Sequence, residues 1–453
     1  MSADLQMRFK ELAKGERVYV GGKFATQNDL SALFAVRAAG LYLRAGGRLA
    51  FVMPLAALTR GQFERFRAGS FHTARLAFDE AWTMDDDLQP LFPVPSCVVF
   101  ARRRATAKAV PDSVRTFSRT LPLRDAPEDL ANKRLTVRND VPRPAVGKFE
   151  GGSIYRTVFR DGATLYPRML CLVDRQTAGR LGVDPTMPPV VSRRGAQDKK
   201  PWCELPSLAH RVEVEFLYPI LFGESILPYR LFRAFEGVVP VTGQGETLDA
   251  AGAATRGFVG LHGWMRDAES LWEQHRPSPI SIVEQWNYYG KLSSQFPIPP
   301  LRVLYAKAGT LPAAMLLRDS KAVIDHMLYW APVTTEAEGH YLTAILSSET
   351  ARSRVANLQA RGQWGARHFD KVMFNLPIPR FDGGDQLHSE LSRAGAEAEA
   401  VAADVPLPDS VKFQRARGVV RTALAAAGVS QRIDALVEKL LDRDLRSEQF
   451  GGD

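Results

Sequence analysis

The chain is 453 residues long, 45% hydrophobic and 24% charged. That is the composition of an ordinary globular protein, and the length is enough for at least two separate cores. No apolar run approaches the roughly 18–20 residues that cross a bilayer, and the opening residues MSADLQMRFKELAKGE are polar and helical in pattern, unlike a secretory signal. The expectation is a cytoplasmic protein with no membrane partner. Lysine and arginine number 59 against 50 acidic residues, a net charge of +9. Such a balance favours a polyanionic partner without naming one. Cys97, Cys171 and Cys203 are odd in number and widely spaced. They form neither a disulfide framework nor a metal motif, and buried free thiols are expected.

Residues 1–105 alternate helix and strand. Leu30, Leu33, Phe34, Ala38 and Leu41 recur at helical spacing, and Gly46-Gly47 suits the end of that helix. A buried strand follows at 49–53. Thr59-Arg60-Gly61-Gln62 has the form of a capping box opening a short helix with Phe63 and Phe66. Two more strands are expected at 74–78 and 96–101. Residues 106–150 lose this periodicity and collect Pro111, Pro122, Pro127, Pro142 and Pro144, which reads as a linker. From 151 to 382 short strand-like runs (153–159, 211–216, 302–306) are broken by proline and glycine, the texture of an α+β domain. Residues 383–453 form a helical tail with Ile433, Leu436, Val437, Leu440 and Leu441 on one face.

Most single motifs have a plain structural reading. Gly243-Gln244-Gly245 lacks the third small residue of a dinucleotide fingerprint, since Leu248 stands there, so a surface turn is expected. The eight histidines are scattered without the i, i+4 pairing of a zinc helix, and no serine or cysteine nucleophile motif occurs. Asp85-Asp86-Asp87 reads as a solvated turn, because metal sites gather ligands from separated positions. No metal is expected. Phe92, in Leu91-Phe92-Pro93 at the mouth of a strand, suits either a core or a base-stacking position. The stretch 341–382 sets Arg352, Arg354, Arg361, Arg367, His368 and Lys371 among Trp364 and Phe369. Basic groups interleaved with aromatics suit phosphate contact and base stacking, or a solvated basic face.

Taken in order, these segments resemble the adenine-N6 DNA methyltransferases of restriction–modification systems, especially the large type IIG-like enzymes, over about residues 24–382. Asn28-Asp29-Leu30 through Phe34 resembles the helix bordering the S-adenosylmethionine pocket, and the run from Leu43 through Gly46-Gly47 to Pro54 resembles the strand that follows it. Leu91–Val99 resembles the motif whose aromatic lies against the extruded adenine. In the second domain, Asn287–Leu292, Val303–Gly309, Tyr341–Glu349 and Leu376–Pro379 follow the order of a target-recognition region.

The resemblance implies an α/β fold: the last three strands of a Rossmann-like methyltransferase sheet, then an α+β target-recognition domain and a helical tail. It implies S-adenosylmethionine as cofactor, with Asp29 and Phe34 beside it, and Phe92 against the target base. It implies double-stranded DNA as partner, met by Lys291, Lys307, Arg361, Trp364, Arg367, His368 and Lys371. The family's glycine-rich cofactor loop and its Pro-Pro-aromatic catalytic motif are missing. The Pro-Pro pairs, Pro188-Pro189 and Pro299-Pro300, have the wrong neighbours. The expectation is therefore a chain with no catalytic residue of its own, inactive alone and completed by a separately encoded N-terminal half. A non-catalytic specificity module and a non-functional remnant are the alternatives.

Overall fold

The computed structural model describes residues 3–21, 29–84, 88, 96–143, 152–177, 182, 184–195, 198–276, 279–309, 311–356, 360–362 and 365–447. The chain divides into two compact units: Met1–Glu150 with Ala356–His368, and Gly151–Val355 with Phe369–Asp453.

The first unit opens with α1 (Ala3–Gly15), α2 (Leu30–Tyr42) and β1 (Arg48–Pro54). Two single-turn helices, α3 (Ala56–Thr59) and α4 (Glu64–Arg67), lead to β2 (Leu76–Met84), β3 (Ser96–Arg103), β4 (Ser113–Ser118), α5 (Glu128–Arg134) and β5 (Thr136–Pro142). Among the described residues these strands make one sheet in the order β1-β3-β2-β4-β5. β3 runs antiparallel to both β1 and β2, so β1 and β2 are mutually parallel. β2 and β4 are also parallel, with Trp82 opposite Arg115. β1 lies at the sheet's edge.

α2 begins where the Asp29 carboxylate accepts from the Ser31 N–H at 2.7 Å, a side-chain N-cap. It ends at Tyr42, where the Arg103 guanidinium donates to the main-chain carbonyls of Gly40 (3.2 Å) and Leu43. The buried face of α2 is Ala32, Leu33, Val36 and Ala39. The expected stripe is therefore corrected: Leu30, Phe34 and Leu41 point outward, Phe34 with 65% of its surface exposed. A helix that is apolar on both sides ordinarily needs cover on both sides.

Three further expectations are revised. The capping box does not form: the Gly61–Phe63 turn has no side-chain cap, and the Thr59 hydroxyl turns back to the Leu55 carbonyl at 3.4 Å. The segment 106–150 carries β4 and β5, with Val114 and Thr116 buried against the sheet. β2 is longer and later than expected. Its buried positions run Leu76, Phe78, then Ala81, Thr83, out of phase by one residue at a β-bulge after Phe78. The acidic pair Asp79-Glu80 sits at that bulge and gives the sequence the look of a loop.

The second unit is built around two sheets. Its short elements α6 (Tyr155–Val158) and β6 (Arg160–Asp161) precede β7 (Leu172–Arg175), β8 (Pro189–Ser192), β9 (Ala209–Arg211), β10 (Leu217–Leu221), the hairpin β11 (Ile226–Leu227) and β12 (Arg230–Leu231), and β13 (Phe235–Val238). Helices α7 (Ala250–Thr255), α8 (Val259–His275) and α9 (Ile282–Trp286) follow, then β14 (Leu301–Ala306), β15 (Ala314–Arg318), β16 (Val323–Ile324) and β17 (Leu328–Pro332). One sheet has the order β16-β10-β13-β7-β8-β9 and the other β15-β14-β17-β6 among the described residues. The runs 153–159 and 211–216 are thus not strands: they hold α6 and a 3₁₀ turn at Val214–Phe216.

Gly243-Gln244-Gly245 is a tight turn, closed by the Thr242 N–H on the Glu246 carbonyl at 2.9 Å. Cys97 and Cys171 are buried free thiols, Cys97 pushed up to about 12 by burial, whereas Cys203 is exposed. A thiol on a polar turn buries nothing by sequence pattern alone.

The last helices are α10 (Glu336–Ser347), α11 (Glu349–Val355), α12 (Gln386–Asp404), α13 (Phe413–Ala426) and α14 (Val429–Ser447), with a hairpin β18 (Ala360–Gly362) and β19 (Gly365–His368) between α11 and α12. α12–α14 pack into the second unit's main core: Leu391, Ala398, Ile433 and Val437 share it with Val303, Tyr305, Tyr341 and Ile345. Gly395 permits the close approach, since a Cβ there would lie 2.3 Å from the His340 carbonyl oxygen.

Arg302 is an oddity of this unit. It lies in β14 with no exposed surface. Its Nη2 donates to the Asp319 carbonyl at 3.0 Å, but Nε and Nη1 have no partner. Burial lowers its pKa to about 10 against the opposing charge of Asp319. Unpaired buried donors are destabilising by about 1–3 kcal/mol, and apolar isosteres of buried charges are often neutral or stabilising. Arg302→Met is expected to raise the free energy of unfolding by about 1–2 kcal/mol with an unchanged denaturant slope. Urea titration checks this, and a fall in the midpoint would show that the guanidinium is satisfied in solution.

Candidate nucleic-acid interface

The second unit gathers basic side chains around one carboxylate. Tyr329 in β17 pairs with Asp161 in β6 on one side and with Tyr305 in β14 on the other, so β17 separates this short edge strand from the end of β14. Lys307 leaves β14 there and places its ammonium on Asp161 Oδ1, while Lys291 Nζ stands 3.3 Å from Asp161 Oδ2. Lys371 reaches in from a 3₁₀ turn at Asp370–Asn375 and donates to the main-chain carbonyls of Phe159 (2.7 Å) and Arg156 (3.1 Å). Both Lys307 Nζ (4.3 Å) and Lys371 Nζ (5.7 Å) lie over the Tyr329 ring. Two ammonium groups thus bind a single carboxylate with a third beside them, and the cluster keeps a net positive charge.

Titration follows from that geometry. Burial works against ionisation of Asp161, but the hydrogen bond and charge of Lys307, with Lys291, outweigh it and hold the carboxyl below its ordinary range. Lys371 is pushed down, chiefly by burial and then by the neighbouring Arg156, Lys307 and Lys291, with Asp161 opposing. Arg160 lies over the Trp330 ring at 5.5 Å, on the same edge strand as Asp161.

Three of the expected DNA-contact residues, Lys291, Lys307 and Lys371, are therefore brought together. They are not equivalent. Lys371 spends its donors on main-chain carbonyls and Lys307 on Asp161, so both build the cluster as well as charge it. Lys291 is the more accessible of the Asp161 pair, with 27% side-chain exposure against 15% for Lys307. Arg361, Arg367 and His368 lie on the β18–β19 hairpin, which groups with the first unit. Their side chains, and Trp364 entirely, are outside the described residues, as are Phe92 and Asp85-Asp86-Asp87. Asp161 is the residue that sequence reading missed. A lone acid between Arg160 and Gly162 gives no signal until the fold shows what surrounds it.

The residues expected beside S-adenosylmethionine are in the first unit. The outward ring of Phe34 suits stacking on an adenine. Asp29 is already used by its own helix, accepting from Ser31 N–H and from the Ser31 hydroxyl at 2.6 Å. One aromatic wall and one occupied carboxylate do not make a cofactor site, so the described residues fit only a fraction of that group. No group of three or more His, Cys, Asp or Glu side chains is placed to hold a metal ion among the described residues, and none of the described helices is long and apolar enough to cross a membrane.

The described residues thus form a five-stranded mixed sheet in the first unit and an α+β arrangement with terminal helices in the second. The fold is similar to the type IIL restriction-modification enzyme MmeI, solved in complex with DNA: TM-score 0.51 and 10% identity, over 100% of this chain and 53% of that one. The type IIG restriction endonuclease BpuSI aligns over 97% of this chain and 52% of its own, at 15% identity and TM-score 0.31. The chain thus spans about half the length of the solved structures it matches. No protein-family model matches it, and no curated protein matches it in sequence.

Proposed function

We propose that this chain is the sheet-closing and DNA-reading portion of an adenine-N6 DNA methyltransferase of a restriction–modification system. The observation that carries the proposal is the fold likeness, along the whole chain, to a restriction-modification enzyme solved on DNA. The lysine cluster around Asp161 supplies charge of the right sign for phosphates. S-adenosylmethionine is the methyl donor this reading requires, with the exposed ring of Phe34 as a wall for it.

Two features of the first unit leave room for a further segment against its sheet. β1 is an edge strand whose Val52 is 51% exposed, and the outward Leu30, Phe34 and Leu41 of α2 leave apolar surface uncovered. A segment carrying the glycine-rich loop and the Pro-Pro-aromatic motif would extend the sheet at β1 and cover α2. Methyl transfer also needs an adenine flipped from the duplex and held in line with the donor methyl, a task to which this reading assigns none of the described residues.

Two measurements test this. The purified chain should bind duplex DNA with an affinity falling roughly 10³-fold between 50 and 200 mM salt, if about six phosphates are engaged. It should transfer no methyl group from S-adenosylmethionine until a polypeptide carrying the glycine-rich loop and the Pro-Pro-aromatic motif is supplied. Absence of duplex affinity at low salt would overturn the reading. Binding that never acquires methyl transfer would leave a specificity module in its place.

A further inference from the structure

Asn287-Tyr288-Tyr289-Gly290 turns the chain from α9 toward Lys291, and its backbone is firmly held. The Asn287 side chain accepts from the N–H groups of Leu292 (3.1 Å) and Ser293 (2.9 Å), and the Gly290 N–H donates to the Asn287 carbonyl at 2.7 Å. Trp286, just before the turn, is fully buried. On this base stand two rings in contact, Tyr288 and Tyr289, with centroids 4.4 Å apart at 62°.

Tyr289 is the anomaly. Its φ is +56° and ψ +28°, the left-handed region that glycine fills without strain and a tyrosine does not. It is also 85% exposed, so the ring returns nothing in burial, and Tyr288 is 46% exposed. Neither the turn nor the core needs an aromatic side chain at 289. Strain of this kind, held by a well-determined surround, is characteristic of positions whose side chain acts on something outside the chain.

The neighbourhood says what that is. Two residues on, Lys291 enters the positively charged cluster with Lys307 and Lys371. Solvent-facing rings next to ammonium groups that outnumber their carboxylate match a nucleotide: base on the ring face, phosphate on the cation. We propose that Tyr289, braced by Tyr288, is a stacking wedge that packs against a partly unstacked base of bound DNA beside a phosphate held by Lys291. This deepens the DNA-binding reading above and rests on it.

The test separates stacking from charge. Binding of a fluorescent 30-base-pair duplex pool is measured across a salt series for the wild-type chain and for Tyr289→Ala, Tyr289→Gly, Tyr289→Phe and Lys291→Ala. Tyr289→Ala and Tyr289→Gly should weaken binding roughly tenfold at every salt concentration, with the salt slope unchanged. Tyr289→Phe, which keeps the ring, should bind as wild type does. Lys291→Ala should instead lower the slope by about one. Tyr289→Gly relieves the left-handed strain, so its Tm should equal or exceed that of the wild type, which keeps unfolding from mimicking the result. Wild-type binding with Tyr289→Ala within twofold of it would overturn the wedge alone. Wild-type chain without duplex affinity at low salt would overturn the wedge together with the functional reading.

Discussion

A chain ended after Asp382 is expected to lose the fold of the second unit altogether. By pattern the last seventy residues look like an appendage, an alanine- and glutamate-rich stretch followed by an amphipathic helix. In the fold they supply more than a third of a core's buried residues. Leu391 of α12, Leu424 of α13, and Ile433, Val437, Leu440 and Leu441 of α14 are all buried, in one cluster with Val303 and Tyr305 of β14 and Tyr341 of α10. Full burial of such side chains stabilises by about 1.5–3 kcal/mol each. These six alone therefore supply on the order of 10 kcal/mol, comparable to the whole stability of a domain. The truncated protein should be insoluble, or compact without fixed packing, with near-ultraviolet circular dichroism lost and apolar dye bound. A soluble 1–382 chain unfolding in one cooperative transition would refute this placement of the core.

Glu399→Ala should be the most damaging single surface-charge substitution. Glu399, on α12, receives the Arg318 guanidinium at 2.7 Å (Nη1) and 3.0 Å (Nη2), and the His340 Nε2 at 2.7 Å. Arg318 ends β15 and His340 lies on α10, so one carboxylate fastens α12 to both. Arg318 also holds Glu336 at 2.7 Å. Burial raises the Glu399 pKa, but the His340 hydrogen bond and then the Arg318 bonds and charge reverse that and bring it from 4.5 to about 2.

A carboxyl whose folded pKa is depressed contributes stability that is fully present above its unfolded pKa and lost as pH falls through the folded one. The contribution at pH 7 is about 2–3 kcal/mol, after allowing for the quarter of the side chain left in solvent. Tm at pH 7 should therefore fall by roughly 5 °C or more for Glu399→Ala. The gap between wild type and variant should narrow from pH 4.5 downward and close near pH 2. A gap independent of pH would mean that lost packing, not the carboxylate, accounts for the effect.

What the sequence discloses here depends on how local the determinant is. β1, β3 and β14 read correctly because uninterrupted apolar runs specify strands from within: Leu49–Met53, Cys97–Val99 and Val303–Tyr305 need no context. β4 and β5 lack such runs: SVRTFS buries only Val114 and Thr116, and TVRNDVP, with two charged residues, buries none of its side chains. Helical spacing found α2 but chose its outward face. Alanines 32, 35 and 39 are buried, and a scan weighted to large apolar residues passes over them. The same holds for the lysine cluster. The sequence shows its three lysines as separate basic residues, and only the pairing of β6 with β17 sets Asp161 among them. Tyr289 stands in the resembling Asn287–Leu292 segment, yet its left-handed backbone is visible only in the structure.

The shared core of the second unit also fixes when that unit can be completed. Tyr305 of β14 waits for Leu440 of α14, and between them lies more than a quarter of the chain. At about 5–20 residues per second of synthesis, the ribosome needs roughly 7–27 s to deliver the second after the first. During that interval the apolar surface that α12–α14 cover in the finished unit stays open. Contacts this distant in sequence also slow the search once the chain is released. The first unit's sheet faces no such wait, because β1 to β5 lie within one continuous stretch. The order of assembly is thus written into the connectivity: the sheet first, and the lysine-bearing unit only after the final helix has been made.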